Sequence, residues 1–71
     1  MKLEQVLPML RDGKTITRTK PYNDKNTVVF VKLEDNKLKF KLVFTTGEII
    51  NWAYYTLKTE DIFSENWELA G

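Results

Sequence analysis

Cysteine and histidine are both absent from this 71-residue chain. Without cysteine there is no disulfide, no thiolate nucleophile and no sulfur metal site. Without histidine the commonest general base and the commonest nitrogen metal ligand are missing. An oxygen-only Ca or Mg site needs several convergent carboxylates, and the acids here are scattered along the chain. No metal and no cofactor is expected. No stretch approaches the roughly 20 apolar residues that span a bilayer. The N-terminus lacks a basic-then-apolar signal layout, so a cytoplasmic protein is expected. Repeats, low-complexity segments and internal linkers are also lacking. These absences argue against an enzyme, because the usual nucleophile–base pairs cannot be assembled.

What remains is one small domain over residues 1–71. A chain this short buries only about 60% of its unfolded surface, and stability is marginal. Oligomerisation is one common remedy. The formal net charge is +1, but its distribution is uneven. Residues 14–45 carry eight basic side chains against Asp24, Glu34 and Asp35. Residues 46–71 carry Lys58 against Glu48, Glu60, Asp61, Glu65 and Glu68. A basic middle and an acidic tail can attract each other within or between subunits. Alternatively, the basic middle can form an anion site.

Leu3, Val6, Leu7 and Leu10 recur at helical spacing and predict a helix over 3–12. Gly13 suits a left-handed C-terminal cap. Pro8 removes an amide, which predicts a kink or a late start. Thr15–Arg18 is β-branched and reads as a short strand. Residues 19–26 read as a polar loop. Strands follow over 27–34, 38–44 and 48–54, with tight turns at Asp35-Asn36 and Thr46-Gly47. Thr59 reads as the cap of a helical turn at 59–63, with Glu60 and Asp61 at the positive end of its dipole. Ile62, Phe63 and Trp67 are the apolar groups this small unit can bury. Residues 66–69 can pair as a closing strand. The expected fold is α+β: an N-terminal helix packed on a small, mainly antiparallel β-sheet, with a short helical turn before the C-terminal strand.

Four residues stand out as a candidate ligand site. Arg18, beside Lys20 and a polar loop, can grip a phosphate bidentately, or pair with the acidic tail instead. Trp52 and Tyr54 cluster with Tyr55 after a strand, where rings can stack on a nucleobase or anchor a partner. Trp52 and Tyr54 read as sharing a strand face with Ile50, and Tyr55 as facing the other way unless the strand has ended. Tyr22 lies in the loop after Arg18. Lys37, Lys39 and Lys41 point away from Leu38, Phe40 and Leu42. They can meet phosphates or simply protect a sheet edge from aggregation. Asp61 and Glu65, four apart, could do acid–base work, but capping and solvation are the simpler role.

The opening pattern Leu3-x-x-Val6-Leu7-x-x-Leu10-Arg11-Asp12-Gly13-Lys14-x-Ile16-x-Arg18 and the closing pattern Asp61-Ile62-Phe63-Ser64-Glu65-Asn66-Trp67-Glu68 resemble a family of small phage proteins. That family includes the Thoeris anti-defence "sponge" proteins, with relatives among anti-CRISPR candidates. The resemblance implies a homo-oligomer in the host cytosol. It also implies sequestration of an anionic nucleotide signal, such as a cyclic ADP-ribose, between subunits without chemical change. Where many members place a tryptophan after the arginine, this chain has Lys20-Pro21-Tyr22-Asn23, and its segment from Trp52 to Asp61 is longer. In this reading Arg18 holds phosphate while Tyr22, Trp52 or Tyr54 stacks on a base. Two alternatives stand beside it: an inhibitor that binds a host defence or replication enzyme, and a single-stranded nucleic-acid-binding module.

Overall fold

The structure is a computed structural model that describes residues 1–22 and 25–70, without the side chains of Tyr22 and Lys25. Helix α1 (Leu3–Arg11) leads into β1 (Ile16–Tyr22), β2 (Lys25–Glu34), β3 (Lys37–Phe44) and β4 (Ile49–Tyr54). A single turn, α2 (Thr59–Ile62), precedes the two-residue strand β5 (Glu68–Leu69). All five strands form one antiparallel sheet in the order β4-β3-β2-β1-β5. The architecture is the expected α+β one.

The helix starts at Leu3 despite Pro8. The backbone amide of Lys2 donates to Gln5 Oε1 at 2.8 Å, capping the first turn. Pro8 and Glu4 are both exposed. The carbonyl that loses its donor to proline therefore faces solvent, where water can satisfy it. Leu3, Val6 and Leu10 form the buried stripe, whereas Leu7 stays 42% exposed.

The 19–26 segment is largely strand. β1 continues to Tyr22 and pairs Thr19↔Val28, Lys20↔Thr27, Pro21↔Asn26 and Tyr22↔Lys25. Asn23 and Asp24, part of the segment read as a loop, lie outside the described residues. The turn from β2 to β3 places Asp35 (φ 53°) and Asn36 (φ 63°) in the left-handed region. A two-residue hairpin of the primed type requires that conformation, and Asp and Asn tolerate it.

One face of the sheet, here the inner face, carries Ile16, Val29, Val31 and Leu42, which pack with α1 and Trp67. Helix α1 lies over β1, β2 and β5. The β3–β4 half of the inner face has no helix above it. Among the described residues the 55–58 segment crosses there, with Tyr55 and Leu57 packed against the core. The chain ends tie together through backbone bonds from Trp67 N to Met1 O (3.0 Å) and from Ala70 N to Thr15 O (2.9 Å).

Candidate functional site

The inner face of β1 carries two cations, Arg18 and Lys20, only 8% and 6% exposed. Buried charge is costly unless it is paired. Here the counter-charge is Asp61, fully buried on α2. Arg18 reaches Asp61 Oδ1 from NH2 (3.2 Å) and Nε (3.3 Å). Its NH1 donates to Ser64 Oγ at 3.0 Å and Asn66 Oδ1 at 3.4 Å. The guanidinium also lies 5.5 Å from the Trp67 ring centroid. Lys20 Nζ stands 3.9 Å from Asp61 Oδ1, 3.7 Å from Glu60 Oε1 and 3.4 Å from the Tyr55 hydroxyl.

Asp61 is therefore the hub. It accepts a hydrogen bond from the Tyr55 hydroxyl and, at 2.9 Å, from the backbone amide of Lys58. The second bond caps α2. Thr59, expected as the cap, is instead the first helical residue and is exposed. Burial opposes ionisation of Asp61. The donors Tyr55 and Lys58, with the charges of Lys20 and Arg18, outweigh it and hold the carboxyl below its ordinary value. Burial, then the bond to Asp61 and its negative charge, push the Tyr55 hydroxyl well above its ordinary value. Trp67 is fully buried and its Nε1–H donates to Asp61 O at 2.8 Å. Ile62 and Phe63, expected to be buried, are 48% and 77% exposed. The single turn of α2 spends its inward direction on Asp61.

Beside this hub the uncovered inner face forms a groove of about 290 Å³, walled by Phe40, Leu42, Ile50, Tyr55 and Thr56 and bordered by Lys20 and Lys58. Phe40 and Tyr55 meet with ring centroids 5.0 Å apart. Lys58 is exposed, and no carboxylate pairs with it among the described residues. A larger hollow of about 470 Å³ lies between α1 and α2, but Glu4 and Glu65 line it against the single cation Lys2. That charge balance suits an anion poorly; the groove suits one through Lys58 and its two rings, Lys20 being already paired with Asp61 and Glu60.

Trp52 and Tyr54 are elsewhere. The β3–β4 ladder shifts between Phe40, paired with Ala53, and Leu42, paired with Ile50. The extra β4 residue reverses the alternation. Ile50 lines the inner groove, while Trp52 and Tyr54 join Lys39 and Lys41 on the outer face. The reading that Trp52 and Tyr54 share a face with Ile50 is corrected by this bulge. Arg18 and the two rings are thus on opposite faces of one subunit, and the side chain of Tyr22 lies outside the described residues. Tyr55, the third ring of that cluster, lines the inner groove, away from Trp52 and Tyr54. Phe40 and Lys58 were not among the candidate ligand residues, and Phe40 read as core.

Among the described residues no cluster of three or more Asp, Glu, His or Cys could hold a metal, and no helix is long and apolar enough to cross a membrane. Fold and groove together define a small α+β domain with a cationic, aromatic-walled recess. Residues 1–70 match the family model Tad2-like, described as the Thoeris anti-defense 2-like domain, and the chain belongs to that family. No curated protein matches it. No solved structure matches it either. Family membership supports a role in Thoeris anti-defence.

Proposed function

We propose that the protein is a non-enzymatic binder that sequesters an anionic nucleotide signal in the inner groove, at an interface between copies of itself in the host cytosol. The observation that carries this reading is the family match across residues 1–70. The groove supports it: Lys58 and Lys20 border it, and Phe40 and Tyr55 offer ring faces to a base. Ligand pockets run from about 300 to 1,000 Å³. At about 290 Å³ and open to solvent, the groove holds part of a dinucleotide-sized signal. A second copy over the bare β3–β4 half would supply the missing wall. Arg18 serves this site as a strut: through Asp61 it fixes the carboxylate against which Lys20 is set.

The test is calorimetry of the purified protein against cyclic ADP-ribose isomers and cyclic oligonucleotides. One of these should bind, and Lys58→Glu should weaken it at least tenfold while leaving the circular dichroism spectrum unchanged. Absence of heat with every nucleotide, from folded protein, would sink the sequestration reading.

A further inference from the structure

The outer face of the sheet has no helix upon it, and its chemistry differs from the inner face. Register puts Phe30 opposite Lys41, Lys32 opposite Lys39, Glu34 opposite Lys37 and Lys39 opposite Tyr54. The result is a lattice in which each cation meets a ring or an acid. Lys32 Nζ lies 4.1 Å from the Trp52 centroid, Lys41 Nζ 6.0 Å from Trp52 and 5.5 Å from Phe30, and Lys37 Nζ 5.2 Å from Tyr54. Glu34 is the one acid paired there: it holds Lys39 at 2.6 Å and Lys32 at 3.3 Å. Lys37 and Lys41 have no carboxylate partner among the described residues. Tyr54 is 70% exposed and Trp52 36%. At the start of β3 a hollow of about 300 Å³ opens on the sheet rim between Lys37 and Tyr54 of this face and Leu38 and Tyr55 of the other.

We propose that this outer face binds single-stranded nucleic acid, with bases on Trp52 and Tyr54 and phosphates at Lys37 and Lys41. Three arguments select that occupant. Lys37 and Lys41, without a carboxylate partner among the described residues, leave the face net positive beside its rings. Sequence-tolerant base stacking on exposed aromatic rings beside a cationic track is the general device for single strands. Lys37 and Lys41 stand four residues apart on β3, about 13 Å (four rises of about 3.3 Å), close to the span of two successive phosphate steps in an extended strand. A second copy facing this surface would oppose lysines to lysines. A duplex keeps its bases stacked inside and cannot use the rings. The proposal does not depend on the groove reading, because the two surfaces lie on opposite faces of the sheet.

The test is fluorescence anisotropy of labelled 20-nucleotide single strands, DNA and RNA, with the duplex and poly-glutamate as competitors. At low salt, dissociation constants of about 1–100 micromolar are expected, in the range of electrostatic, sequence-independent binding. The logarithm of affinity should fall with log salt at a slope of about −1.4, two contacts at about −0.7 each. Lys37→Glu with Lys41→Glu should abolish binding, and Trp52→Ala should weaken it about five- to hundred-fold. Lys58→Glu should leave it unchanged. Circular dichroism on each variant confirms folding, which these outer-face changes should not disturb. Binding of either DNA or RNA supports the proposal. No complex with folded protein, equal competition by poly-glutamate or duplex, or undiminished binding by Trp52→Ala overturns it.

Discussion

Replacing Asp61 by Asn tests whether one buried carboxylate organises the C-terminal half of this fold. The side chain keeps its size and can still accept from the Lys58 amide. What it loses is the negative charge opposite Arg18 and Lys20, two cations at most 8% exposed. Breaking a buried pair by removing one partner costs roughly 3–5 kcal/mol, because the remaining charge is left uncompensated. Glu60 still reaches Lys20, and Ser64 and Asn66 still accept from Arg18. The lower end, about 3 kcal/mol, is therefore expected. Domain stabilities run from about 5 to 15 kcal/mol, and a chain of this size sits near the bottom. Urea unfolding followed by circular dichroism reads the effect. With a slope of about 1 kcal/mol/M for a small domain, the midpoint should fall by about 3 M. Arg18→Met should cost less, since Asp61 retains Lys20, Tyr55 and Lys58. The double variant should recover about 1–3 kcal/mol relative to the sum of the singles. A midpoint for Asp61→Asn within about 0.5 M of wild type, which at that slope is the roughly 0.5 kcal/mol range of ordinary surface changes, would refute the hub.

Other outcomes follow from the same contacts. The depressed Asp61 carboxyl contributes stability that is present above the unfolded value of about 3.9 and is lost as pH falls through the lower folded value. Acid unfolding should begin below about pH 4 and weaken in Asp61→Asn, read by thermal melts across pH. The raised Tyr55 hydroxyl has the opposite sense. Its contribution is complete below about pH 10 and lost above it, so alkaline melts should steepen there, and Tyr55→Phe should remove that component. Asn36→Val should cost about 1–2 kcal/mol through its left-handed backbone, whereas Asn36→Gly should be nearly neutral in urea. Sedimentation should show a mass above one chain, and Ile50→Glu, which puts charge on the bare inner half of β4, should return it to monomer.

Much of the architecture was legible because periodicity carries it. Leu3, Val6 and Leu10 mark a helix face, and Leu38, Phe40 and Leu42 alternate with lysines along β3. The polar 19–26 segment misled because turn-forming residues there sit in a hairpin whose strands run nearly to its tip. Among the described residues β5 pairs only with Ile16 and Thr17, so β1 is open on that side at Pro21, which would have broken a central ladder position. The pairing of Arg18 with the acidic tail was one of two alternatives the residues left open, and the structure has that contact. The depth of Asp61 was not legible. A carboxylate in a single helical turn looks solvated until the fold sets two β1 cations beside it. The separation of Trp52 from Ile50 rests on one extra residue in β4. A bulge carries no strong sequence signal, yet it exchanges which rings face the groove and which face outward.

We infer that an anionic nucleotide enters the inner groove. Amide chemical shifts recorded while a cyclic ADP-ribose isomer is titrated in address it most directly. Shifts should concentrate at Lys20, Phe40, Ile50 and Tyr55–Lys58, with the outer-face Trp52 indole resonance undisturbed. Saturable shifts confined to the outer face, or none at a concentration where the protein remains folded, would contradict it.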